Sequence, residues 1–299
     1  MTPLVRHPNH RDPASLPAEL RRTGVPSLAR EWVRAETGRA VVGVRRLAGA
    51  SSSAVHALTL SDGSRLVLRR YAWAGFLDEE PLAPGREVVA LTLGTAAGLP
   101  VPAVVAADRT GAAVGDGVPA LLMSLLPGRA IALPHPSRLA EVAAAIHEVD
   151  ATGFAHGYFR WYAATMTPPA ATSQPALWES AIGLWHDAMP PYEATFIHRD
   201  FHPGNLLVSR SHPTGVVDWA NACRGPRGCD VATCRQNLVD LGGPDGADAF
   251  QRAYESITGT SHHPYWELAR ILEAGPSASH ETDLAEVEVR LAELVASLR

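Results

Sequence analysis

The sequence predicts an α+β protein of two lobes, the first strand-rich and the second mainly helical. Three observations predict it. Short β-branched or alternating segments crowd the first 124 residues, with one helical segment among them. Apolar residues at helical spacing fill most of the remainder. Between the two, LLPG at 125–128 marks the change of character and reads as a hinge. The chain therefore divides into an arm over residues 1–25, expected to be flexible, a first lobe over 26–124 and a second over 125–299.

The elements follow in order. A short helix is expected from Ser27 to Glu36, then strands from Ala40 to Leu47, Ala54 to Leu60 and Arg65 to Tyr71. SDGS, between the last two, has hairpin-turn chemistry. A helix from Gly85 to Ala97 ends where Gly98 and Pro100 stop it. Strands are expected at Ala103–Ala107 and Pro119–Ser124. Beyond the hinge, Leu139, Val142, Ala143, Ile146 and Val149 share one helix face. The stretch from Ala151 to Gln174 reads as an irregular loop. Helices then cover Pro175–Ala188, Asp230–Leu241, Ala247–Ile257, Pro264–Leu272 and Thr282–Leu298, interrupted by one polar loop with short strands around it.

Composition narrows the function classes. With 46% hydrophobic and 19% charged residues, the 299-residue chain is globular rather than disordered. A net charge of −5 argues against nucleic acid as a partner and suits a cationic small molecule better. No stretch approaches the roughly 20 apolar residues that span a bilayer. The N-terminus lacks the apolar core of a signal peptide, so no membrane partner and a cytoplasmic location are expected. The odd cysteine count, Cys223, Cys229 and Cys234, then points to reduced thiols. A metal site using them with His198 or His202 is the alternative, but the spacings match no zinc pattern. All 26 basic residues are arginine, which excludes any mechanism that requires lysine.

The chemistry concentrates in FIHRDFHPGNLL, residues 196–207. His198-Arg199-Asp200 is followed by Asn205, and Asp218 comes later in GVVDWA. H-R-D-x-x-x-x-N is the spacing of the kinase catalytic loop. Phosphoryl transfer needs a carboxylate to orient the attacking hydroxyl and take its proton, a role that suits Asp200. It also needs oxygen ligands for Mg²⁺, which suits the Asn205 amide and the Asp218 carboxylate. Pro203 and Gly204 can turn the chain so that Asn205 folds back towards Asp200. A lone aspartate in a loop makes a turn or caps a helix. The whole pattern together points to catalysis.

HRDFHPGNLL followed by GVVDWANACRGPRGCDVA resembles the aminoglycoside phosphotransferase family, a branch of the protein-kinase-like fold acting mainly on small molecules. Its usual text is H-G/R-D-x-H-x-x-N, then I/V-D-W/F, then G-x-x-x-x-D-L/V-A. The resemblance runs from about Arg45 to Trp266. It implies a bilobal kinase-like fold with a nucleotide-binding first lobe, ATP or GTP as phosphoryl donor, and Mg²⁺. It implies Asp200 as catalytic base, Asn205 and Asp218 as metal ligands, and Asp230 bracing the catalytic loop; an N-cap role would equally explain Asp230. His198, Arg199 and His202 support the loop, and His147 packs. Ser51, Ser52 and Ser53, in LAGASSSAVHAL, sit where a small-residue phosphate loop would. Adenine would bond near Ser124 to Leu126.

The sequence departs from the pattern at the strand that normally carries the ATP-contacting lysine. Arg69 stands there, with Arg70 as its alternative. Arginine still binds phosphate, through a wider fork. Glu87 is placed to pair with Arg69, or else is a solvent-facing helix-start acid. With no DFG and no APE-like segment, a small hydroxylated acceptor is favoured over a protein. That acceptor is an aminoglycoside or other antibiotic, or a metabolite such as a sugar or amino alcohol. A polycation would need acids such as Asp240, Glu255 and Glu267, which otherwise read as solvated helix faces; Trp161, Tyr162, Trp219, Tyr265 and Trp266 could wall a pocket, with core packing as the alternative for most of them. A nucleotide-binding pseudokinase without turnover is the competing class, supported only by the absent lysine.

Overall fold

The computed structural model describes Leu20 and residues 24–47, 49–50, 52–130, 135–161, 166–210, 212–274 and 284–299. Most of the expected N-terminal arm, Ser51, Tyr162 and the start of the last expected helix lie outside these. The chain divides into two compact units. One runs through Gly128 and includes Thr214–Asn221; the other takes Arg129–Pro213 and Ala222–Arg299. The division thus falls after Gly128 rather than after residue 124. Asp218, expected in the second lobe, belongs with the strand-rich unit. Local bonds explain this: the Val216 N–H donates to Pro100 O at 2.8 Å, and Arg86 Nε donates to Ala220 O.

The strand-rich unit opens with helix α1 (Ser27–Thr37), which stops at Gly38 in the left-handed region, φ 70. Strands β1 (Val41–Arg46), β2 (Ala54–Leu60) and β3 (Arg65–Arg70) form an antiparallel meander. The β2–β3 turn needs Gly63 at φ 83, and Asp62 Oδ1 accepts the Ser64 N–H at 3.0 Å. Helices α2 (Ala74–Glu79) and α3 (Ala83–Ala96) follow. The first, six residues long, is too short to show a period in sequence, yet it buries Phe76. The second starts two residues earlier than expected, because Pro84 fits its first turn. Strands β4 (Val104–Asp108) and β5 (Ala120–Ser124) complete a sheet of order β1-β2-β3-β5-β4. Its core joins Trp32 and Val33 of α1 to Leu58, Leu68 and Leu122. Met123 is buried as well.

The helical unit holds β6 (Arg129–Ala130), α4 (Pro136–His147), α5 (Pro175–Asp187), β7 (Ala194–Ile197) and β8 (Leu206–Ser209). Strand β9 (His212–Val216) carries the chain out of it. The chain returns as β10 (Cys223–Pro226), α6 (Gly228–Gly242), α7 (Pro244–Thr258), α8 (Tyr265–Ala274) and α9 (Leu284–Ser297). Residues 151–161 and 166–174 carry no helix, and their only pairing is a bridge from Gly157 to Arg224. The core stacks Trp178 and Trp185 of α5 on Tyr265, Leu268 and Leu272 of α8 and Leu291 and Leu294 of α9. Among the described residues no helix is long and apolar enough to cross a membrane.

Candidate active site

Strand β7 pairs antiparallel with β10, Ile197 opposite Cys223, and delivers His198 beside the start of α6. Asp230 is not an N-cap: Arg227 occupies that position, and Asp230 is the third residue of α6, fully buried. Its two oxygens accept the backbone N–H groups of His198 at 2.8 Å and Arg199 at 2.6 Å. His147 Nε2 stands 3.1 Å from the same carboxylate, and its Nδ1 lies 2.6 Å from the Tyr254 hydroxyl. His147 thus does more than fill space: it links α4, α6 and α7 beneath the loop. Two N–H groups that would be costly to leave unpaired are held by one carboxylate.

The loop turns sharply because Arg199 takes φ 64, a left-handed conformation costly for a side chain of this size. The surroundings hold it there. Its guanidinium stacks on Trp161, Phe159 and Tyr158, with ring centroids at 3.6, 4.4 and 4.9 Å, and donates to Phe159 O. The Asp200 N–H reaches His198 Nδ1 at 3.3 Å. Asn205 folds back as expected, its Nδ2 donating to Asp200 O at 2.9 Å. His202 Nδ1 accepts the Gly204 N–H at 3.1 Å, and its Nε2 stands 4.0 Å from Asp200 Oδ2. Gly204 leaves room for the His202 ring, which a Cβ there would meet at 2.7 Å.

Behind Arg199 lies Glu273 of α8, buried, with Oε1 lacking a hydrogen-bond partner. Burial pushes its carboxyl up to about 7, against the pull of Arg199 and Arg270. Cys229 and Cys234 are free thiols, and burial pushes both further from reactivity.

The strand-rich unit gathers a second set. Arg69 of β3 is buried, and its Nη1 donates to Glu87 Oε1 at 3.0 Å and Asp218 Oδ1 at 2.6 Å. Glu87 is thus no solvent-facing acid but is 1% exposed. Tyr71 also donates to Glu87. Arg70, the alternative to Arg69, is committed elsewhere: its Nη2 binds Asp116 at 2.6 Å and Val118 O at 3.1 Å. Burial opposes the Arg69 charge, yet Asp218 and Glu87 together hold it protonated above the usual arginine range. Burial pushes Glu87 up despite Arg69. Asp218 takes φ 68, a second strained aspartate or arginine of the motif, and stays partly exposed. Arg69 Nε and Nη2 and Ser53 Oγ are shielded with no hydrogen-bond partner. Ser52 is buried beside Ser53. Ser124 Oγ accepts the Ala103 N–H at 2.9 Å, and Leu126 packs on Gly215, where a Cβ would meet it at 2.3 Å.

Several contacts escaped the sequence reading. The stack on Arg199 comes from GYFRW, whose aromatic run was the available signal. Trp161 is therefore part of the loop support rather than a pocket wall, while Trp219 and Tyr265 are core. Glu273, Tyr71 and Arg86 carried no motif.

A strained acid-bearing turn locked from below, with an amide folded onto it, can hold a carboxyl-bearing residue in one place. The chain belongs to the phosphotransferase enzyme family, whose profile matches residues 43–272. Membership makes it a phosphotransferase. Among curated proteins nothing matches. Among solved structures it is similar to a thermostable mutant of aminoglycoside phosphotransferase APH(4)-Ia in ternary complex with AMP-PNP and hygromycin B. Identity is 19%, coverage 91% of this chain and 99% of that one, and the TM-score 0.63. It is also similar to an aminoglycoside-3'-phosphotransferase of type VIII (20% identity, 84% and 100% coverage, TM-score 0.56). A macrolide 2'-phosphotransferase type I matches at 18% identity, 93% and 99% coverage and TM-score 0.57. These likenesses establish the fold.

Proposed function

We propose that the protein transfers the γ-phosphoryl group of ATP or GTP to a hydroxyl of a small molecule, with Asp200 as the base. One observation carries the reading: the Asp230 carboxylate fixes the backbone of His198 and Arg199, and Asn205 ties down Asp200 from the other side. A carboxylate carried on a backbone held this firmly needs little reorganisation to orient an acceptor hydroxyl. As the acceptor oxygen bonds to phosphorus and the bond to the leaving nucleoside diphosphate breaks, the hydroxyl proton passes to Asp200.

The donor sets support the nucleotide and Mg²⁺. The unpartnered Nε and Nη2 of Arg69 can donate to phosphate oxygens, as can Ser53 and the backbone at 51–53. With Asn205 Nδ2 committed to Asp200, the amide oxygen is the group it can offer a hard cation, and Asp218 offers a partly exposed carboxylate. Mg²⁺, when bound, neutralises charge developing on the phosphates. The backbone around Ser124–Leu126 would take the base. In this reading Glu87 keeps Arg69 in place, and His198, Arg199, His202 and Asp230 hold the loop. The strand-rich unit would then be the nucleotide-binding lobe and the helical unit the acceptor lobe.

The test is turnover with Mg²⁺, using ATP and GTP separately, against antibiotics, sugars and amino alcohols, with mass-spectrometric detection of a phosphate adduct. An adduct on one class supports the reading. Tight nucleotide binding, with no turnover on any acceptor or water, would favour a module without catalysis.

A further inference from the structure

We propose that His202 makes a second contact to the acceptor hydroxyl: its Nε2–H donates to the oxygen whose proton Asp200 takes. The inference rests on the phosphotransferase reading and gives this ring a part in the transfer step beyond support of the loop.

The two ring nitrogens are told apart by their bonds. Nδ1 accepts the Gly204 N–H at 3.1 Å, and a backbone amide nitrogen can only donate. Nδ1 therefore keeps its lone pair, and the proton of the neutral ring sits on Nε2. The loop fixes the ring in this setting. The His202 carbonyl accepts the Asn205 N–H at 2.9 Å, and the ring lies over Gly204, where a Cβ would meet Cε1 at 2.7 Å and Nδ1 at 3.0 Å. Nε2 then stands 4.0 Å from Asp200 Oδ2. Asp200 is itself held, by its N–H on His198 Nδ1 and its carbonyl on Asn205 Nδ2. The separation is thus set by a loop braced on both sides.

A gap of 4.0 Å is too long for a hydrogen bond, but one oxygen atom can bridge it. An oxygen about 2.8 Å from each atom would see the two at an angle of roughly 90°. A hydroxyl that donates to Asp200 and accepts from His202 fits that angle. The His202 side chain keeps 24% of its surface and Asp200 9%, so the pair is not sealed from a ligand.

A carboxylate alone takes any donor and bonds a cation more strongly than an alcohol. The N–H beside it changes what fits. A hydroxyl oxygen has two lone pairs, one to accept the Nε2–H and one to attack phosphorus. A neutral amine has one lone pair and an ammonium none, so neither can do both. In the transfer step the acceptor O–P bond forms and the P–O bond to the nucleoside diphosphate breaks. The hydroxyl proton passes to Asp200 Oδ2. His202 keeps its own proton throughout, and its N–H stabilises charge that gathers on the attacking oxygen.

The experiment uses the full chain with ATP and Mg²⁺, native and as His202→Asn and His202→Gln. The Asn amide oxygen can stand where Nδ1 stands and accept the Gly204 N–H, with no donor at Nε2. The Gln amide nitrogen reaches the place of Nε2 and gives up the bond at Nδ1. A ring that only held the turn would be replaced by Asn and not by Gln. Turnover is read as phosphate release to water and as adducts on sugars, amino alcohols and antibiotics. ¹⁵N NMR reads the tautomer of the native ring, assigned by its loss in His202→Asn. His202→Asn should keep Tm within about 2 °C while kcat falls about 10–10²-fold and KM for ATP stays within a few-fold. His202→Gln should melt lower yet turn over at least about tenfold faster than His202→Asn. Native kcat in His202→Asn overturns the inference. So does a His202→Gln no faster than His202→Asn, or a proton found on Nδ1; with Asp200-dependent turnover intact, all three leave the phosphotransferase reading standing. Absence of any Asp200-dependent turnover, to water included, removes that reading and the inference with it.

Discussion

The loop around Asp200 and the cluster around Arg69 carry similar residue types but are built on opposite lines. In the helical unit one buried carboxylate, Asp230, meets two backbone N–H groups and an imidazole, and the chain of partners closes through His147 and Tyr254. In the strand-rich unit a single guanidinium nitrogen serves two carboxylates, while its other donors have no partner. The first arrangement closes around Asp230, as a positioned base would require. The second is short of acceptors on one side and over-supplied with carboxylate on the other. Such an imbalance is costly in an isolated core and reasonable where an anionic ligand and its cation complete it.

The comparison is broken most severely at Asp230. Asp230→Ala leaves two buried N–H groups and His147 without their acceptor, and should cost about 3–5 kcal/mol in urea denaturation. A loss below about 1 kcal/mol would mean the loop is held by something else. Arg69→Gln should affect binding more than folding. It removes the charge between Glu87 and Asp218, and Glu87 can take a proton because burial already raises its pKa. Nucleotide affinity should fall by about tenfold to a hundredfold by calorimetry, with unfolding changed by roughly 1–3 kcal/mol. A variant with native nucleotide affinity would take Arg69 out of the phosphate site.

The smallest expected effect sharpens the boundary of the closed network. Glu273 is the one acid behind the loop whose carboxyl is raised, from 4.5 to about 7. Its folded-state proton affinity exceeds the unfolded one, so its stabilisation is full below about 4.5 and is lost as pH rises through about 7. Between those limits Glu273→Gln should flatten the decline of Tm with pH, a difference of roughly 1–3 kcal/mol at pH 8. Parallel curves for the two proteins would mean Glu273 is ionised throughout, neutralised by Arg199 and Arg270.

The loop around Asp200 was legible in sequence because its residues sit within one short window and their spacing is their geometry. Asn205 turning onto Asp200 follows from Pro203 and Gly204 between them. The Arg69–Glu87 pair was legible through the strand and the helix that carry them. What escaped depends on partners far along the chain. The Arg199 stack needs residues 158–161, the Arg86 bond to Ala220 O joins α3 to the segment holding Asp218, and Glu273 meets Arg199 only through α8. The pairing of the helix acids was hidden for the same reason. Asp240, Glu255 and Glu267 read alike as helix acids, and only their hydrogen-bond partners distinguish them. Helix α2 was missed because six residues before Pro81 show no periodicity.

The most direct measurement is single-turnover phosphoryl transfer by Asp200→Asn beside its nucleotide affinity. Transfer should fall by about 10²–10⁴-fold while nucleotide and Mg²⁺ bind within a few-fold of the native protein, since Asp230 and Asn205 still hold the loop. Transfer that stays within about tenfold of native would contradict Asp200 as the base.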